Sequence, residues 1–232
     1  MTSTAIRERI LADNDAAADE LRERFRAQGT LAVNLVSSPG SGKTSLLEAT
    51  VKQLRERYRI GIVEGDISTD LDAERLRALG VPAQQILTGG ACHLDARQVR
   101  AALEDPRFET LDLLLVENVG NLICPTAYDL GEAFKVVVLS VTEGDDKPFK
   151  YPAIFARADV CVISKLDLLP HVRFDLDRVR AQVRTLRPDG VMLELSAHGG
   201  QGIEEWCRLL EDRAAAARAA CVSHLTPLPL HT

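Results

Sequence analysis

The sequence predicts an α/β domain: a mostly parallel sheet with helices on both faces, preceded by an amphipathic helix. Three observations predict it. Short, continuous apolar runs recur along the chain, as expected of strands buried on both faces. Helical patterns separate them, the alternation that builds a parallel sheet. The 232 residues are 46% hydrophobic, enough for one good core, and show no internal repeat and no interior linker. The expected organisation is a helical extension over 1–30, the main domain over 31–220 and a loose tail over 221–232.

Taken in order, Ile6, Ile10, Ala17, Leu21 and Phe25 recur near helical spacing with charges between them, so 4–28 reads as a helix packing on the domain or on a partner subunit. Leu31–Val36 is a buried strand, followed after a small-residue loop by a helix through Leu46, Leu47, Val51 and Leu54. A second strand spans 59–65 and ends at Asp66. A helix over 69–79 stops at Gly80. Residues 81–87 form a short edge strand, because Pro82 cannot donate to a ladder. The loop 88–93 leads into a helix over 94–103, then strand 111–116. Strand 135–141, helix 149–156, strand 160–164, helix 176–186, strand 191–195 and helix 203–219 complete the body.

The stretch from Leu31 to Thr44 organises the rest. Its loop, Ser37-Ser38-Pro39-Gly40-Ser41-Gly42, followed by Lys43-Thr44-Ser45, fits the phosphate-loop pattern G-x-x-x-x-G-K-[ST], with Ser37 where the first glycine is usual. Gly40 and Gly42 let the backbone wrap an anion, and the helix dipole stands behind them. Lys43 is expected on the β- and γ-phosphates and Thr44 on Mg²⁺. The fold expected is therefore a single P-loop NTPase domain.

Ligands of such sheets lie beyond the carboxyl ends of the strands. Asp66 and Glu117 both follow apolar strands there and are expected to complete the Mg²⁺ shell with Thr44. Asp70 and Asp72 lie in an acidic segment; Asp72 is the candidate for orienting the attacking water, although a helix N-terminus also attracts acids. Val160–Asp167 is a strand running into Ser164-Lys165-Leu166-Asp167, similar to the N-K-x-D guanine tetrad with Ser164 in place of Asn. Asp167 would accept hydrogen bonds from guanine and be left unpaired by adenine. Lys165 would cover the base, while Ser164 should bridge the loops less well than Asn. Ser196 and Ala197 match the second guanine-contacting loop.

Net charge is −6 and the isoelectric point about 5.4, which argues against a nucleic-acid partner. No apolar run is long enough for a membrane span, nor is there a signal-peptide core, so a cytoplasmic protein is expected. Five scattered cysteines are no disulfide framework. Cys161, Cys207 and Cys221 read as packing residues. Cys92-His93 and Cys124 differ, because both of their loops leave the edge of the sheet that carries the nucleotide pattern. Two thiols and an imidazole suit Zn²⁺ or Ni²⁺ and fall one ligand short of a tetrahedron, which a two-fold dimer could supply.

The segments S-S-P-G-S-G-K-T, E-G-D-I, G-G-A-C-H-L-D-A, E-N-V-G-N-L-I-C-P, V-T-E-G-D-D-K-P-F-K-Y-P, K-L-D-L-L-P and G-x-G-I-E-x-W, spread from about Leu31 to Trp206, resemble the HypB family of GTPases that help insert nickel into [NiFe] hydrogenase. The resemblance implies slow GTP hydrolysis to GDP, nucleotide-promoted homodimerisation, and a Ni²⁺ or Zn²⁺ site at Cys92, His93 and Cys124 modulated by nucleotide. It also implies a HypA-type metallochaperone and the hydrogenase large-subunit precursor as partners. Residues 1–30 lack the C-x-x-C-G-C and His-rich nickel segments of some members. Lys147 and Lys150 either contact nucleotide across a dimer or form a solvated basic loop. The alternatives are a relative of the urease chaperone UreG, whose C-P-H signature is absent, an ATP-using kinase of the same fold, and a nucleotide hydrolase or scaffold with a structural metal.

Overall fold

The computed structural model describes residues 3–66 and 71–225. The expectations placed on Asp70, on the Ile6 side chain and on 226–232 fall outside the described residues. Seven strands, β1 (Leu31–Ser37), β2 (Ile60–Asp66), β3 (Ala83–Leu87), β4 (Leu113–Glu117), β5 (Phe134–Ser140), β6 (Val160–Ser164) and β7 (Val191–Glu194), form one sheet in the order β3-β2-β4-β1-β5-β6-β7. Every pairing is parallel. The central strands are buried along their whole length, which is why they read as unbroken apolar runs.

Side chains alternate across the sheet. Leu31, Val33 and Leu35 face a core completed by α2 (Lys43–Leu54) and α8 (Ile203–Leu225) around the fully buried Trp206. The other face carries two separate apolar clusters. One joins Ala32, Val63 and Leu114 to α1 (Ser3–Gln28) and α4 (Ala96–Ala102). The second joins Val36, Val137 and Ile163 to α6 (Pro152–Arg157) and α7 (Leu176–Leu186). Between them Asn34 points from the middle of β1 and is 0% exposed.

Several details differ from expectation. The helix expected over 149–156 is two, α5 (Lys147–Lys150) and α6, because Tyr151 precedes Pro152 and takes φ −125°, ψ 51°; a residue before proline avoids helical geometry. The described part of the helix expected over 69–79 is α3 (Leu71–Arg77), followed by a turn with Gly80 at φ +82°. α8 runs to Leu225, past the point where a tail was expected to begin. In α1, Ala17, Leu21 and Phe25 are buried as expected while Ile10 is 43% exposed. Cys161 and Cys207 lie in the core, and the half-buried Cys221 donates to the Ala27 carbonyl.

Candidate functional site: a nucleotide cleft and a Cys/His cradle on one rim

The carboxyl ends of β1, β2 and β4 frame a cleft of about 400 Å³ lined by Pro39–Ser45, Glu64, Asp66, Asp72, Arg75, Glu117 and Lys165, among others. Gly40 and Gly42 take φ of +76° and +93°, geometry that strains any other residue, and Gly42 leads into α2. Lys43 is nearly buried. Its Nζ donates to Ser37 Oγ at 2.8 Å and stands 3.9 Å from Glu117 Oε1. The serine in place of the first glycine therefore gives the loop lysine a partner. Thr44 donates to Glu117 Oε1 at 3.0 Å.

Charge in the cleft is unbalanced. Glu64, Asp66 and Asp72 bring carboxylate oxygens within 4.8 Å of one another, and Glu64 lies beside Glu117 across the β2–β4 ladder. Burial pushes Glu64 up to about 8, with Glu117, Asp66 and Asp72 adding repulsion. Burial likewise raises Glu117 to about 7, against the pull of Lys43 and Thr44. Ser41 Oγ, Glu64 Oε2 and Glu117 Oε2 are buried without a hydrogen-bond partner. Groups left in this condition are costly unless something binds them. Hard oxygen donors around a gap beside an anion-wrapping loop fit a divalent cation such as Mg²⁺ together with phosphates. Asp72, in the first turn of α3, is held by Arg75 at 2.8 Å, and Arg75 also reaches Glu48. Glu64 was missed in the sequence; its two-residue spacing from Asp66 was the available signal, since it puts both on one face of β2.

A neighbouring cavity of about 230 Å³ is lined by Gly42, Ser45, Ser164, Lys165, Asp167, Leu195, Ala197 and His198, among others. Asp167 accepts from Ser196 Oγ, which also accepts from the Gly199 N–H. Lys165, at φ +59°, donates to the Gly40 carbonyl at 2.6 Å. Ser164 Oγ donates to the Ser41 carbonyl at 2.6 Å, so this strand end is tied to the phosphate loop through the hydroxyl. Ser38 and Lys147 line a further cleft with Pro39 and Gly120. Lys150 pairs with Asp146.

On the same rim Cys92, His93 and Cys124 converge within one chain, their ligand atoms within 4.8 Å of one another and each residue half-buried. Cys92 Sγ is 3.6 Å from His93 Nδ1. Hydrogen bonding with the Cys92 thiol and then burial raise Cys124 above the usual thiol range, while Asn121 donates to its sulfur at 3.6 Å. Burial lowers His93, favouring the neutral imidazole, with Asp95 opposing. Its ring stacks on Tyr128, 3.8 Å between centroids. Two sulfurs and a neutral imidazole form a donor set suited to Ni²⁺ or Zn²⁺.

The two sites are joined by residues 117–124. Glu117 meets Thr44 at one end. In the middle, Gly120 lies so close to Pro39 of the phosphate loop that an added Cβ would come within 2.9 Å of its backbone. At the other end Asn121 accepts from the Ile123 and Cys124 N–H groups.

Residues 31–194 match the CobW/HypB/UreG nucleotide-binding domain. The hydrogenase maturation factor HypB of Azotobacter vinelandii is 52% identical over 208 residues, covering 89% of this chain and 68% of that protein. The crystal structure of hydrogenase maturation factor HypB from Archaeoglobus fulgidus superposes with a TM-score of 0.83 at 42% identity, over 88% of this chain and 99% of that one. That of HypB from Helicobacter pylori in complex with nickel also gives 0.83, at 40% identity, over 88% and 96%. An anion-wrapping loop, a cluster of carboxylates around it and likeness over most of the chain lead to one assignment: this chain is a P-loop nucleotide-binding protein of the CobW/HypB/UreG family and, within it, belongs to the HypB hydrogenase maturation factors.

Proposed function

We propose that the chain hydrolyses GTP to GDP and uses the nucleotide cycle to hold and release nickel during [NiFe] hydrogenase maturation. The observation that carries this reading is the span 117–124, which touches Thr44 and Pro39 at one end and holds Cys124 beside Cys92 and His93 at the other. In this reading the N–H groups of Gly40–Thr44 and the Lys43 ammonium hold the phosphates, with Ser38, Pro39 and Ser45 shaping the loop. Thr44, Asp66 and Glu117 hold Mg²⁺, joined by Glu64, which supplies a further carboxylate near it. Mg²⁺ would neutralise charge between the β- and γ-phosphates. Asp72 orients water at the γ-phosphate. Asp167, backed by Ser196 and Ala197, reads guanine, and Lys165 lies over the base. Arg75, which lines the cleft, is engaged with Asp72 and Glu48, so turnover is slow unless a second subunit completes the site.

Cys92, His93 and Cys124 hold Ni²⁺, with Zn²⁺ as competitor. A fourth ligand comes from a second copy of the chain in a homodimer, Lys147 standing near the phosphate loop from which it could reach across. The family reading adds a HypA-type metallochaperone and the hydrogenase large-subunit precursor as cytoplasmic partners. The absence of any helix, among the described residues, able to cross a membrane is compatible with this.

Equilibrium dialysis of Ni²⁺ and Zn²⁺ with GDP or a non-hydrolysable GTP analogue tests the reading. Different affinities in the two states are expected, with loss of strong binding in Cys92→Ala; equal affinities would refute coupling. A titration comparing GTP with ATP tests the base, and an ATP preference would remove Asp167 from its role.

A further inference from the structure

Along its backbone, the span 117–124 leads into one of the two metal-bearing loops, the one with Cys124. The other, with Cys92 and His93, follows β3 at the edge of the sheet and has its own attachment. Asn118, next to Glu117 and 1% exposed, accepts at Oδ1 from the Leu94 N–H and from the Val119 N–H, each at 3.0 Å. Two backbone donors at one atom fix the amide orientation without ambiguity. Its Nδ2 donates to Asn34 Oδ1 at 3.2 Å, and Asn34 Nδ2 donates to Glu132 Oε1 at 3.1 Å. Glu132 stands 3.4 Å from Lys135 Nζ, which donates to the carbonyls of Pro125 and Tyr128. The chain of amides thus fills the polar seam between the two apolar clusters and ends under the loop that follows Cys124. Leu94 also presses on Gly65, where a Cβ would come within 2.7 Å of it, between the carboxylates of Glu64 and Asp66.

Resting on the coupled metal reading, we infer that Asn118 is a positioning residue that transmits the nucleotide state to the Cys92–His93 loop, so that both metal-bearing loops shift together. Glu117 and Asn118 are adjacent on a strand end, and a change at the Thr44–Glu117 contact tilts the amide that holds Leu94. This amide ties the Cys92–His93 loop to the same strand end that leads to Cys124, while the Thr88 N–H at the start of that loop bonds separately to the Asp66 carbonyl. Buried amide networks with every partner satisfied keep one geometry and move as a unit.

Asn14 of α1 supplies the comparison. It ties the same two loops from outside, accepting from the Ala96 N–H at 2.9 Å and donating to the Asp129 carbonyl at 2.9 Å. Among the described residues it makes no side-chain hydrogen bond to a strand end at the phosphate cleft, so it should hold the cradle without sensing nucleotide.

The test is Ni²⁺ titration of the full chain at saturating GDP and at saturating non-hydrolysable GTP analogue, so that changes in nucleotide affinity do not enter. Wild type should show affinities differing by about fivefold or more, the usual range for coupled sites. Asn118→Ala should bring that ratio within about twofold of one, the level of no coupling. Asn14→Ala should weaken Ni²⁺ in both states while leaving the ratio as in wild type. If Asn118→Ala does not fold by circular dichroism, Asn34→Ala reports on the same link from within the seam and should lower the ratio. A ratio kept in the folded Asn118 variant, or in the Asn34 variant, overturns the inference alone, as does an equal collapse in Asn14→Ala. A wild-type ratio of one overturns the coupled function itself and the inference with it.

Discussion

Carboxylates at the two ends of the sheet live in opposite company. At the amino end, Asp112 precedes β4 and is 8% exposed. Burial alone would raise it, but hydrogen bonds from the Arg59 side chain and backbone, with Arg218 close by, hold it below the usual carboxylate range. At the carboxyl end, Glu64 and Glu117 are as deeply buried and are raised to about 8 and 7. Lys43 is the cation nearest Glu117 there, at 3.9 Å. One end of the same strands is electrically settled and serves stability. The other withholds compensation, which is how a site keeps room for a cation and a phosphate. Functional ends can thus be told from structural ends by which buried acids keep an oxygen without a hydrogen-bond partner.

The largest test of this contrast removes the lysine. Lys43→Ala should lower GTP turnover by about 10²–10³-fold, the scale seen when one preorganised charge-stabilising donor is lost; turnover at the wild-type rate would end the enzyme reading. Next, Mg²⁺ added to chelated protein at pH 8 should raise the melting temperature, by about 5–10 °C if it reaches a hundred times its dissociation constant. The gain should be smaller in Glu64→Gln.

Smaller effects follow from linkage. A carboxyl whose folded pKa is raised binds protons that the unfolded chain has released, so it costs stability as pH climbs from the ordinary carboxylate value towards about 8. Metal-free Glu64→Gln should therefore melt about 2–4 °C higher than wild type near pH 9 and show little difference near pH 4. Asp112 has the opposite sign. Its lowered pKa contributes stability above the unfolded value, lost as pH falls through the folded one. Asp112→Asn should melt about 2 °C lower at pH 7, the modest size reflecting the solvent-exposed Arg59, and converge with wild type in strong acid. Thermal melts across pH check both; parallel behaviour of the two variants would dissolve the contrast.

Much of the nucleotide side was legible because it is local. Phosphate loops are contiguous, so Gly40, Gly42, Lys43 and Thr44 announce themselves within a few residues, and Asp66 and Glu117 follow from being the first acids after apolar strands. Tyr151-Pro152 could have been read as a helix break from proline geometry alone, yet the apolar spacing on either side concealed it. Glu64 was hidden because it stands inside a run that otherwise reads as core.

The sequence by itself determined the alternation of strand and helix, the parallel sheet and the identity of the phosphate-wrapping loop, because backbone propensity, side-chain period and loop chemistry act over a few residues. Only the tertiary structure decided that Cys92, His93 and Cys124 meet in one chain, that Glu64 joins Asp66 and Asp72, and that Asn118 bridges strand end and metal loop. Those facts depend on strand order, which sets β2 beside β4 and brings together residues far apart in the chain. Strand order follows from how whole faces pack, and no short stretch of sequence contains it.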